Sequence, residues 1–422
     1  MSNQELHLLQ SIESVLGSEN VTRPPELETL GTRPVLMALP GSASEAAECL
    51  RICSSLDAAV IPAGSMSWLD YGNPLRRADV VLSLKRMSRV IDYSPPDLTV
   101  TVEAGLTLAD LNELTRRERQ WLPLDPPGGT VASLGAIAAC NSSGALRLGF
   151  GTPRDYVIGL KLAHADGSES KCGGRVVKNV AGYDMNKLYV GSHGTLAVIT
   201  ELTFKLRPLP ERTATMVVTA NPGTSPFDFA RRVRASELQP ASIFLARGLT
   251  ELRQESDVLF IRFVDNEAAV NHQIGWIERA AYDDFGPTLL TDDEAAHCWR
   301  QVAGVDLMAG HAVRISAPVS AAESLLSKVA PEGCAAAADL GVGIIQIAFD
   351  EDENKAADTI KGMRKQTEES GGTLFVERAS PSVKQEVDAW GDAGGVSSLM
   401  KLVKTKFDPE SILNPGRFVA GI

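Results

Sequence analysis

The sequence predicts an α+β protein in two main parts, and three observations carry that expectation. The first is length, because 422 residues exceed what one hydrophobic core usually holds. The second is a pair of strands joined to loops of glycine and small residues. Ala58–Ile61 runs into Pro62-Ala-Gly-Ser-Met-Ser67, and a loop with Gly182, Gly191 and Gly194 runs into the alternating stretch Leu196–Leu206. Such loops let backbone N–H groups approach a bulky ligand without side-chain collision. The third is a change of pattern past Pro208 and Pro210, where strands begin to alternate with longer helices.

Residues 1–35 read as one short helix and a loop, with no chemistry attached. Ser42 and Glu45 have capping-box spacing and start a helix to about Ser54, ahead of the Ala58 strand. A strand–helix–strand opening invites a dinucleotide fold, but no G-x-G-x-x-G follows a strand and no G-x-x-x-x-G-K-[ST] occurs. Asp79–Leu84 and Leu98–Glu103 are further strands. Thr107 then caps an amphipathic helix with Leu108, Leu111 and Leu114 on one stripe, and its basic end at Arg116, Arg117 and Arg119 reads as solvated. After the loop Leu124–Thr130, small residues crowd Ser133–Gly144. They would let a bulky group lie against the segment, or let a helix pack closely on a sheet, and the residues alone leave both readings open. Gly149–Gly167 reads as a strand pair closed at Asp166-Gly167.

Beyond Glu211 the expected order is a strand Thr213–Thr219, a helix Phe227–Ala235, strands near Ile243 and Val258, and a helix Glu267–Ala280. Strands His311–Ala317 and Val342–Phe349 and a helix Glu351–Glu369 follow. This order fits an α+β domain built on an antiparallel sheet. In the tail, Asp408-Pro409 stops a helix and Asn414-Pro-Gly416 makes a turn.

Composition narrows the function classes. With 41 basic and 53 acidic residues the net charge is −12, which speaks against a nucleic-acid binder. Cys49, Cys53, Cys140, Cys172, Cys298 and Cys334 show no C-x-x-C pair and no iron–sulfur spacing, so they read as reduced thiols of a cytoplasmic protein. Cys49 and Cys53, one helical turn apart, are better explained by buried helix packing than by metal binding. The N-terminus does not read as a leader, and no apolar run reaches membrane-span length, so any membrane contact is expected through partners.

The phrase KNVAGYDMNKLYVGSHGTLAVITELTFKLRPLP, Lys178–Pro210, together with the Pro62–Ser67 loop and the Ser133–Gly144 segment, resembles the FAD-linked oxidases. This is the vanillyl-alcohol-oxidase or PCMH-type family, and the likeness is greatest to the FAD-binding E subunit of bacterial glycolate oxidase. It covers about 36–211 and the tail 407–418 well and the middle weakly. It implies a two-part PCMH-type FAD-binding domain over 36–211, an α+β cap domain over 212–400, and a tail 401–422 that returns to the flavin. It also implies FAD contacts at Pro62, Ala63, Gly64, Ser65, Met66 and Ser67 in the first loop and at Pro127. Further contacts are implied at Ser133, Gly135, Ala136, Cys140, Asn141 and Gly144, then at Gly194, Val198 and Ile199, with Asn414 near the ring. Ala136 and Ser143 stand where glycine is frequent in the family, which implies a slightly different approach to the phosphates. The Pro62 loop has no histidine for covalent attachment and nothing marks Cys140 as a linkage site, so non-covalent FAD is expected.

Oxidation of a 2-hydroxy acid needs a cation for the carboxylate and a base, or a metal-polarised oxygen, for the hydroxyl proton. Relatives with that activity carry paired histidines and a second histidine motif in the cap. Here His7, His164, His193, His272, His297 and His311 stand at no ligand spacing, and neither Asp339–Gln346 nor Val376–Ser380 supplies the expected histidines. No metal is expected, and the lone histidines read as surface or hydrogen-bonded core residues. Arg314, in the strand HAVRIS, either holds a carboxylate or is structural. The resemblance implies the FAD-binding subunit of a glycolate oxidase-type complex, working beside a catalytic FAD subunit and an iron–sulfur subunit. Two alternatives stand beside it: a self-sufficient FAD-dependent 2-hydroxy acid dehydrogenase, and a non-redox scaffold. The intact loops at Gly64, Gly135 and Gly194 argue against the scaffold.

Overall fold

A computed structural model describes residues 2–27, 31–175, 183–249, 257–281 and 284–422. Gly182 and residues 178–181 of the phrase that carries the resemblance lie outside them. The first helix, Asn3–Leu16, is closed by a capping box between Ser2 and Glu5 and buries Leu8, Ile12 and Leu16 on one stripe against the helix Ala43–Ser55. In that second helix Ser42 accepts from the Glu45 N–H as expected. The Glu45 carboxylate, however, takes the Gly41 N–H instead of the Ser42 N–H, so the reciprocal bond lies one residue early.

Two sheets occupy the first half. A four-stranded sheet runs in the order Val21–Thr22, Leu36–Ala38, Val80–Ser83, Val60–Ala63, with its last three strands parallel. Its first strand falls in the stretch read from sequence as a loop, since two residues are too few to show a period. A five-stranded antiparallel sheet has the order Val90–Ser94, Thr99–Glu103, Val198–Lys205, Val157–Ala163, Glu169–Gly173. The expected hairpin over Gly149–Gly167 therefore needs correction. Its turn stands, with Gly167 at φ +81 and Asp166 accepting from Ser168, but the pair is Val157–Ala163 with Glu169–Gly173. Residues before it form the single helical turns Arg147–Phe150 and Pro153–Tyr156, because Pro153 has no N–H for a ladder and Thr152 with Asp155 makes a capping box.

The second half is one eight-stranded antiparallel sheet. Its order is Phe285–Leu289, Arg212–Ala220, Val258–Asp265, Ser242–Arg247, Ala335–Asp339, Ile344–Phe349, His311–Ser316, Thr373–Arg378. Ile243, Leu245, Leu259 and Ile261 point into the main core, and Phe244 and Phe260 point to the opposite face, where Trp299 of the helix Asp292–Ala303 covers them. The strand Ala335–Asp339 was not anticipated. Its alanine run favours helix by propensity, and pairing on both edges overrides that.

The halves are joined through backbone and tail. Gly149 N–H donates to the Ala241 carbonyl at 3.2 Å, and Ser242 Oγ donates to that of Ala145 at 2.6 Å. The tail adds to the free edge of Val60–Ala63, where Val60 N–H donates to Ile412 and Val60 accepts from Asn414 N–H. Lys404, on the helix Ser397–Phe407, is buried and its ammonium donates to Asp408 Oδ2 and to the carbonyls of Thr195 and Leu413. Lys404→Met leaves a fully buried carboxylate without its cation, and breaking such a pair costs about 3–5 kcal/mol. Urea unfolding is expected to show that loss, with partial recovery in Lys404→Met/Asp408→Asn, and equal stability of wild type and Lys404→Met would refute it.

Candidate functional site

The two glycine-bearing loops, the small-residue helix and the tail meet around one cavity. Ser133 N-caps the helix Leu134–Cys140 by accepting from Ala136 N–H, and Ser133 N–H in turn donates to Ser65 Oγ at 3.1 Å. That tie draws the first loop onto the helix so tightly that a Cβ at Gly64 would lie 1.8 Å from Ser133 Oγ. Glycine at 64 is thus dictated by Ser133. Gly135 likewise rests on Ala104, 2.7 Å from where its Cβ would be, while Ala136, Ala139 and Cys140 face the cavity. The small-residue stretch thus packs closely on one side and lines the cavity on the other.

The third loop is positioned by the same helix. Gly191 and His193 donate their N–H groups to the carbonyls of Ala138 and Ala139, so these two are committed to the helix and do not point at a ligand. Gly194 takes φ +67 and packs against Pro62 and Asn414, whose Nδ2 donates to the His193 carbonyl at 2.9 Å.

Of the residues expected around a flavin, Pro62, Ala63, Gly64, Met66, Ser67, Ser133, Gly135, Ala136, Cys140, Gly194, Val198, Ile199 and Asn414 line this cavity. Four others do not. Ser65 ties the loop to the helix, and Asn141 turns the chain at φ 47 and accepts from Arg154 N–H. Gly144 packs on the Asp125 carbonyl, and with Pro127 it lines a second, smaller cavity beside Arg314, Asp339 and Gln346.

Several lining residues escaped the sequence reading. His193 stacks on Phe418 and meets Trp390 edge-on in a three-ring cluster, and burial, with the Arg314 and Arg417 charges adding, drives its pKa down to about 3, so the ring is neutral. Arg417 is buried with Nη1 donating to the Leu69 and Tyr71 carbonyls at 2.6 and 2.8 Å, while Nε and Nη2 have no partner. Asn414 Oδ1 is also unpartnered. A ligand with both acceptors and donors fits these orphaned groups, as the flavin and its phosphates offer. Burial pushes the Cys140 thiol up to about 12, so it is no nucleophile.

The two segments searched for histidines do come together, but around a carboxylate. Glu377 is fully buried, accepts from Gln346 Nε2 at 3.0 Å, faces the Tyr71 hydroxyl at 3.5 Å, and lies 3.6 Å from Arg314 Nε. Arg314 also stacks over Phe375. It is therefore both paired with Glu377 and on the wall of the second cavity. One carboxylate already beside a guanidinium is a poor cation site, and no group of three His, Cys, Asp or Glu fit for a metal occurs among the described residues. On the wall of the second cavity Asp339 is pushed up to about 7, mainly by burial. Bonds from the Gly341 and Val342 N–H groups and the Arg147 charge oppose that rise, and Asp125 adds to it.

A family model described as an FAD binding domain matches residues 34–173. The chain is 27% identical to D-lactate dehydrogenase [cytochrome], mitochondrial, of Arabidopsis thaliana over 92% of its own length and 73% of that protein's. It is 35% identical to glycolate oxidase subunit GlcE of Escherichia coli (strain K12), over 35% of this chain and 42% of that one. Among solved structures, p-cresol methylhydroxylase superposes with a TM-score of 0.76 at 15% identity, covering 99% and 97% of the two chains, which shows a shared fold.

Two outcomes follow from this geometry. Gly64→Ala is expected to lose flavin and melt earlier, and Ser133→Gly in the same chain to restore part of both, since glycine is a tolerable N-cap at a cost of a few tenths of a kcal/mol. An unaffected Gly64→Ala protein would show that the loop relaxes freely. Because the folded pKa of Asp339 lies above its ordinary 3.8, the stability it contributes is full below about pH 4 and is lost as pH rises through about 7. Asp339→Asn should flatten the fall in melting temperature across that window, and an unchanged slope would remove Asp339 as its source.

Proposed function

We propose that this chain, which carries the FAD binding domain of the FAD-linked oxidases and binds FAD, is the FAD-binding subunit of a glycolate oxidase-type complex that oxidises a small 2-hydroxy acid to the 2-oxo acid. The observation that carries this reading is the Glu377, Arg314 and Gln346 cluster, standing where a self-sufficient enzyme would gather histidines. The likeness to a glycolate oxidase subunit over 35% of this chain supports it.

When bound, FAD supplies the acceptor for the electron pair leaving the substrate carbon. The chain's own part is to hold and orient. The loop at Ala63–Ser67, the helix face at Ala136 and Cys140, and Val198, Ile199 and Asn414 form the FAD cradle, with FAD held non-covalently. Pro127 and Gly144 line the second cavity. Arg314, with its Nε edge on Glu377, offers its remaining N–H groups to a substrate carboxylate. Tyr71 faces Glu377, but burial, with the Glu377 charge adding, raises its phenol well above the ordinary value, so it does not serve as the base. No histidine among the described residues stands ready either, since His193 is buried and holds its ring against Trp390 and Phe418. The proton acceptor is assigned to a partner, in a complex that also holds an iron–sulfur subunit and reaches a membrane, if at all, through those partners.

One observation favours a second reading, a self-sufficient dehydrogenase: the relationship to a D-lactate dehydrogenase runs over 92% of this chain. Anaerobic mixing with glycolate or lactate separates the two. Alone, the loaded protein should reduce its flavin about 10²–10⁴-fold more slowly than with a histidine-bearing partner, the usual worth of general acid–base help. Rapid bleaching of the isolated protein would overturn the subunit reading, and loss of that bleaching in Arg314→Met would assign the carboxylate contact.

A further inference from the structure

The helix Ser397–Phe407 is held on one face and left open on the other. Its inner face carries Lys404, whose ammonium bonds the tail and the third loop, and Phe407, which stacks on His164 and meets Tyr189 edge-on. Its outer face carries Leu399 and Leu402, 62% and 68% exposed. Val396, 57% exposed, ends the single helical turn Gly394–Val396 that leads into the helix. Lone exposed apolar residues are ordinary on a protein surface. Among the described residues, however, no other helix exposes two large apolar side chains to this extent. The inner face already seats the helix, so the outer leucines are not needed for that.

The charges beside these leucines are arranged about a centre. Asp392, Val396, Leu399, Leu402 and Lys406 follow one another at intervals of four, three, three and four residues. The spacing is the same from either end, with Leu399 in the middle, an acid at one end and a base at the other. Within a helix such intervals keep side chains on one face. Asp392 Oδ1 accepts from the Gly394 N–H, and neither Asp392 nor Lys406 has an ion-pair partner among the described residues. In a two-fold contact residue i meets j of the copy and j meets i. Two such helices laid antiparallel with Leu399 on the axis set Val396 against Leu402 of the copy and Asp392 against Lys406 of the copy, each pair occurring twice. Because a chain of net charge −12 repels its copies, opposite charges placed to meet are what a self-contact requires.

We propose that the helix Ser397–Phe407 is the docking surface for a second copy of this chain, paired antiparallel across a two-fold axis at Leu399. A contact of one helix pair falls below the roughly 1,200 Å² of a stable interface, so the dimer is weak and depends on concentration. The proposal stands apart from the subunit reading, which its failure would leave untouched.

The test is sedimentation velocity of the FAD-loaded chain from micromolar to millimolar concentration. Reversible dimerisation is expected, weakened at least about tenfold by Leu399→Lys, as for loss of a central contact. Asp392→Lys and Lys406→Asp should each weaken it, and the double variant should recover it. Under a mild disulfide oxidant Leu399→Cys should cross-link to its own copy, while Lys401→Cys, off the stripe, should not. All these positions are exposed, so flavin content and melting temperature should match wild type. A wild type that stays monomeric up to millimolar concentration overturns the proposal. So does a dimer that Leu399→Lys leaves intact, or one in which Leu399→Cys fails to cross-link. Binding of the wild type but not of Leu399→Lys to anionic lipid vesicles, with no dimer in solution, would also overturn it, by giving this face to a membrane surface.

Discussion

The tail's backbone pairing with Val60 is the contact on which the rest of the site depends. Val60 is an inner-core residue on an edge strand, and its N–H and carbonyl find partners only because Ile412 and Asn414 return some 350 residues later in the chain to extend the edge. That pairing fixes Asn414 against Gly194 and brings Arg417 under Leu69 and Tyr71. Lys404 then clamps the turn from the other side by bonding the tail and the third loop together. A segment that resembles a loose C-terminus is thereby a wall of the cavity.

Close approach, more than glycine flexibility, explains the small residues around the cavity. Gly64 and Gly135 have no room for a Cβ because Ser133 and Ala104 press against them, and Gly144 meets the Asp125 carbonyl. Gly194 needs glycine for its positive φ as well. Packing first draws the loops onto one helix, and the space left over on its other face is what a cofactor can use. The result is a cradle whose shape is set by contacts away from the ligand.

The second cavity tells a complementary story about charge. Gln346 and Glu377 stand on the two strands that flank the Arg314 strand in the eight-stranded sheet and meet across it, and Arg314 neutralises the carboxylate. Such a cluster is satisfied by its own members, which suits orientation of an anion better than acid–base work.

Much of this was legible in the residues. Capping residues Ser42 and Thr107, the strand Val198–Lys205, and the antiparallel order beyond Glu211 follow from local pattern, and the three small-residue segments contribute to the lining of one cavity. The pattern failed where neighbours outvote propensity, as in the alanine strand Ala335–Asp339, and where a segment is too short to show a period, as at Val21–Thr22. It also failed for Arg417 and His193, whose roles come from burial and from partners hundreds of residues away. Sequence by itself determined the chemistry available at each position and the local elements that carry it. Tertiary structure alone decided which polar groups were left buried without partners, because satisfaction of a hydrogen bond depends on what the rest of the chain places within reach.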